Sequence, residues 1–257
     1  HWNNTDWADA ATDKPVHGGL TRFGREVVRE MNRLGMLVDL AHVSDATMLA
    51  AMDTSEAPVI FSHSSARALC NHVRNVPDDI LKRVAADGGI VMVNFGPGFV
   101  SEEVRVAEAP FEAEWIRLRT LYPNDPTRVE VELKALRAAH QVPRATLAQV
   151  ADHIEHIRRV AGVDHVGLGS DFDGISTTPA GLEDVSRYPA LLAELLRRGW
   201  SDDDVKKVAG SNILRVMREV ERVAARLQRT RPPSDARIEE LDAQPAAADH
   251  GKPGGAS

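Results

Sequence analysis

Four short apolar runs punctuate the chain: Met36 to Leu40, Pro58 to Phe61, Gly89 to Phe95 and His165 to Gly169. They are rich in β-branched residues, too short for helices and continuous rather than alternating, as strands covered on both faces of a parallel sheet are. Between them the period changes to that of a helix. Val27, Val28, Met31 and Leu34 share a stripe that stops at Gly35, which predicts a helix over 25–34. Pro77 opens another, with Asp78 and Asp79 in its first turn and Gly88 after its end. Thr146 and Gln149 form a capping box, after which Leu147, Val150, Ile154, Ile157 and Ala161 trace one face as far as Gly162. A helix from about Pro189 to Arg198 follows the last strand. A second capping pair, Ser201 and Asp204, then starts a long helix through Asn212 to about Arg229.

Strands alternating with helices predict parallel pairing through right-handed crossovers, hence an α/β layer or barrel. Residues 101–144 interrupt the alternation with a helix around Trp115, a turn at Tyr122 to Pro126 and a helix from Thr127 to His140, and read as an insertion on the rim. From Arg231 the chain holds four Pro, three Gly and only Ile238 and Leu241 as large apolar residues. That composition predicts a catalytic domain over 1–230 and a disordered tail over 231–257.

The chain has 257 residues and a formal net charge of −7, with no basic patch, which argues against nucleic acid as a partner. No apolar run reaches the length of a membrane span, since the stretch from Gly89 to Val100 is broken by Asn94 and Pro97. The first residue is His1 and not Met, so the N-terminus looks cut and localisation stays open. One cysteine, Cys70, beside Ala68 and Leu69, excludes an internal disulfide and a thiolate cluster and reads as a buried thiol. Any metal must then be held by His and carboxylates.

The strands deliver polar groups at their C-terminal ends: VDLAH ends at His42, VIFSH at His63, MVNF carries Asn94, and GLGSDFDG carries Asp171 and Asp173. In barrels and open α/β sheets that end is the active face. Two neutral imidazoles on adjacent strands can bind a divalent metal such as zinc, and a carboxylate on a later strand can move protons. The plainer alternatives are a hydrogen-bonded core role for each histidine, a tight turn for Asp173-Gly174 and a surface charge for Arg74. His153 and His156 have helical spacing, but His153 falls on the apolar face and His156 on the polar one, so they are not read as a metal pair.

GLTRFGREVVREMNRLGMLVDLAHVS, APVIFSHSSARALCNHVRNVPDD, GGIVMVNF, ATLAQVADHIEHIRRVAGVDHVGLGSDFDG and GLEDVSRYPALLAELLRRGW, in this order, resemble the zinc dipeptidases of the renal (membrane) dipeptidase type, amidohydrolase-like TIM barrels. The resemblance covers roughly His1 to Glu221. It implies that His42 and His63 are ligands of one zinc of a binuclear pair and that Arg74 holds the substrate's terminal carboxylate. Asp171 then takes a proton from the nucleophilic water and passes it to the leaving amine. His1, in HWNNTDWAD, matches the histidine that binds substrate and stabilises the tetrahedral intermediate. The implied reaction is hydrolysis of a dipeptide by a metal-bridging hydroxide, by a protein that can form a homodimer.

The family's His-x-Asp pair and bridging Glu lie upstream of His1 in the family order and are absent here. The expectation is therefore the C-terminal half, about four βα units, of a (β/α)8 TIM barrel, with two ligands of one zinc. Such a half exposes sheet edges and an apolar interior, and by itself is expected to be inactive and prone to associate. Two other readings stay open: a metal-dependent hydrolase of another amide or ester, and an inactive remnant or assembly half.

Overall fold

The computed structural model describes residues 2–139 and 142–243. Helix α1 (Arg22–Leu34) is capped by the Thr21 side chain, which accepts from the Gly24 amide, and ends at Gly35 in the left-handed region. Helix α2 (Asp45–Thr54) follows the strand-like stretch around Val38, and β1 (Ile60–Phe61) follows α2. Helix α3 (Asp78–Ala86) begins after Pro77, which takes the N-cap position just outside the helix. Strand β2 (Ile90–Val93) leads into a short helix α4 (Pro97–Val100) and two longer ones, α5 (Glu102–Leu121) and α6 (Pro126–Ala139). Helix α7 (Leu147–Ala161) carries the complete Thr146/Gln149 capping box and feeds β3 (Val166–Leu168). Helices α8 (Tyr188–Arg197), α9 (Asp202–Lys206), α10 (Asn212–Thr230) and α11 (Ile238–Leu241) complete the chain.

The long helix expected after Ser201 is divided: α9 and α10 meet in a π-helical turn over Lys207–Ser211. Asn212 anchors the junction by donating to the carbonyls of Val163 and Val166 at 2.7 and 2.8 Å.

The sheet is parallel, in the order β1-β2-β3, with Ile60 opposite Ile90 and Val91, Met92 and Val93 opposite Val166, Gly167 and Leu168. The first apolar run, Met36 to Leu40, joins through a parallel bridge between Asp39 and Ile60, with Leu40 donating to the Ile60 carbonyl and Ile60 to the Val38 carbonyl. Alternate residues face opposite sides. Val59, Phe61, Val91 and Val93 belong to the main core with Val84 of α3, Ile154 and Ile157 of α7 and Leu191 of α8. Ile60 and Ile90 point the other way, onto Val216, Val220, Val223 and Leu227 of α10. The stripe along α10 thus covers the starts of β1 and β2 on the second face, where Met92 is partly buried.

Part of the expected tail, residues 231–243, lies among the described residues. Residues 231–243 pack back on the body: Ser234 donates to Glu30, Phe23 donates to Asp242, and Arg231 pairs with Glu56 at 2.6 Å. Contacts with both halves of α1 and with Glu56, just past α2, hold this segment, which a composition argument does not register. The remainder of the expected tail, 244–257, lies outside the described residues. Among the described residues no helix is long and apolar enough to cross a membrane.

Candidate active site

The strand ends bring the expected residues together. Three residues past Asp39, His42 sits in the left-handed region at φ 77°, which turns its imidazole over the end of β1. The turn is held from both sides: Asp39 accepts from the Ala41 amide, and the His42 carbonyl accepts from Ala11 at 2.7 Å. His63 lies two residues past the end of β1. The two imidazoles meet with their Nε2 atoms 2.8 Å apart, and the Trp2 ring lies edge-on to His42 with centroids 5.4 Å apart.

Burial, and after it the Arg74 charge, pushes His42 down to about 3, and the same two causes lower His63 against the opposing pull of Asp171 and Asp39. Both rings are neutral near pH 7, the state in which imidazole binds metal. Two zinc-bound nitrogens at about 2.0–2.1 Å in tetrahedral geometry lie about 3.3 Å apart, so the pair needs to open by only about half an ångström to hold a metal between them. Among the described residues no group of three or more His, Cys, Asp or Glu converges on one point. The two histidines therefore fit as one arm of a metal site and not as a complete ligand set.

Arg74 is 2% exposed, and its Nε has no hydrogen-bond partner. Its Nη2 donates to the His63 carbonyl at 3.3 Å, and the guanidinium lies 5.6 Å from the Phe99 ring centre. Burial pulls it down to about 10 while Asp171 and Asp39 hold it up. A buried guanidinium with a spare donor has the chemistry to receive an anion.

Asp171, the other non-glycine residue at positive φ (61°) among the described residues, follows β3 and accepts from Asn94 Nδ2 at 3.3 Å. Its carbonyl accepts from Gly174, so DFDG does form a tight turn, with Asp171 at its head. Gly169, just past β3, lets the backbone approach the Ser62 carbonyl just past β1, since a Cβ there would collide with that carbonyl. His1, expected to bind substrate, lies outside the described residues.

Sequence reasoning missed several supports. His153 and His156 are both buried, at 1% and 7% exposed, although the helical period puts His156 on the polar face. His153 accepts from the Ala66 amide at 3.0 Å and donates to the Val100 carbonyl at 3.1 Å, pinning the loop after His63. His156 bonds Asp78 at 2.7 Å and accepts from Arg159 at 2.8 Å. Asp39 and Ser62 carried no signal beyond their adjacency to the two candidate ligands.

Comparison with known proteins gives this geometry a context. Dipeptidase tcpJ of Claviceps purpurea is 45% identical over 226 residues, covering 88% of this chain and 44% of its own. Dipeptidase aclJ of Aspergillus oryzae is 43% identical over 236 residues, covering 91% of this chain and 47% of its own. The chain thus spans about half the length of the curated relatives it matches. The crystal structure of the probable dipeptidase PvdM from Pseudomonas aeruginosa superposes with TM-score 0.73 at 30% identity, covering 86% of this chain and 61% of that one. A metallo peptidase from Rhodobacter sphaeroides, solved with a phosphinate mimic of the dipeptide L-Ala-D-Ala, superposes with TM-score 0.61 at 28% identity over 79% of this chain and 47% of that one. The family pattern described as Membrane dipeptidase (Peptidase family M19) matches residues 1–231, and the chain belongs to that family.

Proposed function

We propose that the protein carrying this chain is a zinc-dependent dipeptidase, and that the four parallel strands are four of the eight of a (β/α)8 barrel. The observation that carries the reading is the juxtaposition of two neutral imidazoles, Nε2 to Nε2 at 2.8 Å, with a buried guanidinium that donates to the carbonyl of one of them. His42 and His63 hold one side of the metal, and further ligands come from outside the described residues. A divalent metal bound there supplies Lewis acidity toward the peptide carbonyl and lowers the pKa of water.

The chain's own residues supply the rest of the chemistry. Arg74 takes the substrate's free carboxylate through its guanidinium, whose Nε donor is unpartnered, which selects dipeptides over longer chains. Asp171 holds a proton at its carboxylate and delivers it to the leaving amine, while Asn94 fixes one carboxylate oxygen. His1 stabilises the oxyanion. With two imidazoles alone the ligand set is incomplete, so the 257 residues by themselves hydrolyse dipeptides far more slowly than the full-length protein.

The test is a substrate series on zinc-loaded full-length protein: a dipeptide, the same dipeptide as its C-terminal amide, and a tetrapeptide. Hydrolysis of the free dipeptide and weak turnover of the other two are expected. Equal turnover of dipeptide and amide contradicts the role of Arg74, and hydrolysis of simple esters or amides in preference to any dipeptide contradicts the substrate class.

A further inference from the structure

A chain of three groups runs behind His63. Asp39 accepts twice at Oδ1, from the Ala41 and Ser62 amides, each at 3.0 Å. Its Oδ2 lies 2.5 Å from Ser62 Oγ, and that oxygen lies 2.7 Å from His63 Nδ1. Hydrogen-bond direction follows from the chemistry of these groups. An ionised carboxylate only accepts, so the single hydroxyl proton of Ser62 is committed to Asp39, at the short distance typical of a charge-assisted bond. Ser62 Oγ then has only lone pairs to offer His63, and His63 Nδ1 must carry the proton. The neutral ring is left with its lone pair on Nε2, the atom that faces His42.

We propose that Asp39, acting through the Ser62 hydroxyl, is the positioning residue that fixes the His63 tautomer and keeps its Nε2 lone pair ready for the metal. The proposal rests on the reading of His63 as a ligand. Asp39 serves both histidines: one oxygen shapes the turn that places His42, and the other sets which nitrogen of His63 is protonated. The two strand ends are thereby locked to one carboxylate before any metal arrives, a form of preorganisation that ligand histidines commonly receive from a carboxylate or carbonyl behind them.

The isosteric variant Asp39→Asn gives a specific outcome. The two backbone amides require the side-chain oxygen on their side, so the Asn NH2 faces Ser62 and donates to it. The Ser62 hydroxyl must then turn its proton toward His63 Nδ1, which becomes an acceptor, and the ring changes to its Nε2–H form. Ser62→Ala retains the negative charge of Asp39 but breaks the relay, and Ser62→Thr restores a hydroxyl.

Long-range 1H–15N spectra of the metal-free full-length protein, with the His63 signals assigned by their loss in His63→Gln, read the tautomer directly. Expected are Nδ1–H in the wild type and Ser62→Thr, Nε2–H in Asp39→Asn and a mixture in Ser62→Ala. Zinc affinity measured against a competing chelator should weaken about 10–100-fold in Asp39→Asn and Ser62→Ala and recover in Ser62→Thr. Nδ1–H persisting in Asp39→Asn, or Nε2–H in the wild type, overturns the relay. Tautomers that invert as expected in a protein that binds no zinc leave the relay standing and refute the metal-site reading instead.

Discussion

Replacing Arg74 by Met should separate stability from function. The guanidinium is 2% exposed, and its pKa falls from the ordinary 12.5 to about 10 because burial penalises its charge more than Asp171 and Asp39 compensate. The sign follows from linkage: a base whose folded pKa lies below its unfolded one is held charged at a cost to the fold, present in full at pH 7. A difference of that size corresponds to about 3 kcal/mol. Met keeps the aliphatic stem and removes the charge, giving up a long bond to the His63 carbonyl and a contact with Phe99 worth together about 1–2 kcal/mol. The free protein should therefore gain about 1–2 kcal/mol, or roughly 2–8 °C in Tm for a domain of this size. Binding of a free carboxylate loses charge-assisted bonds of about 1.5–3 kcal/mol, so kcat/KM for a dipeptide should fall about 10–150-fold, mainly through KM. The C-terminal amide of the same dipeptide should be nearly unaffected by the substitution. Thermal unfolding and steady-state kinetics on the full-length protein measure both arms. A variant that melts lower and loses the two substrates equally refutes the reasoning, because Arg74 would then be a structural ion rather than a substrate reader.

Other substitutions probe the frame of the site. His153→Leu strands the Ala66 amide and the Val100 carbonyl, and should destabilise the protein by about 2–5 kcal/mol in urea unfolding. Burial lowers His153 to about 4, so the wild type should lose about 3 kcal/mol as pH falls from 6.5 toward 4, where only the unfolded state takes up its proton. The His153→Leu variant should show a correspondingly shallower acid slope. Gly169→Ala forces a methyl onto the Ser62 carbonyl and should lower both Tm and zinc affinity, at a cost of about 1–3 kcal/mol in overpacking. Cys70, whose thiol burial pushes up to about 12, should react with a thiol reagent only on unfolding, and rapid labelling of native protein would contradict its buried place.

The sequence made the parallel strands, the helix caps at Thr146 and Ser201, and the delivery of His42, His63, Asn94 and Asp171 to one end of the sheet legible, because each depends on local period or local capping chemistry. What escaped it depends on partners distant in sequence. The covering of Ile60 and Ile90 by α10 joins residues more than a hundred positions apart, and no period within either segment announces it. His156 is buried with both nitrogens satisfied, one by Arg159 a turn away in α7 and the other by Asp78 at the start of α3, a partner that its own helical face does not announce. Asp39, inside a strand run, and Ser62, next to His63, carry no sign of their partnership until the bridge to Ile60 brings the two strand ends side by side.

The central claim is that His42 and His63 hold the catalytic metal. Its most direct test is zinc content and dipeptide turnover measured together on the full-length protein, before and after chelation, beside the His42→Ala/His63→Ala double variant. Chelation should abolish wild-type turnover, zinc should restore it, and the double variant should bind less zinc and stay inactive when zinc is returned. Turnover that survives chelation, or a double variant that recovers wild-type rates with zinc, would contradict the claim.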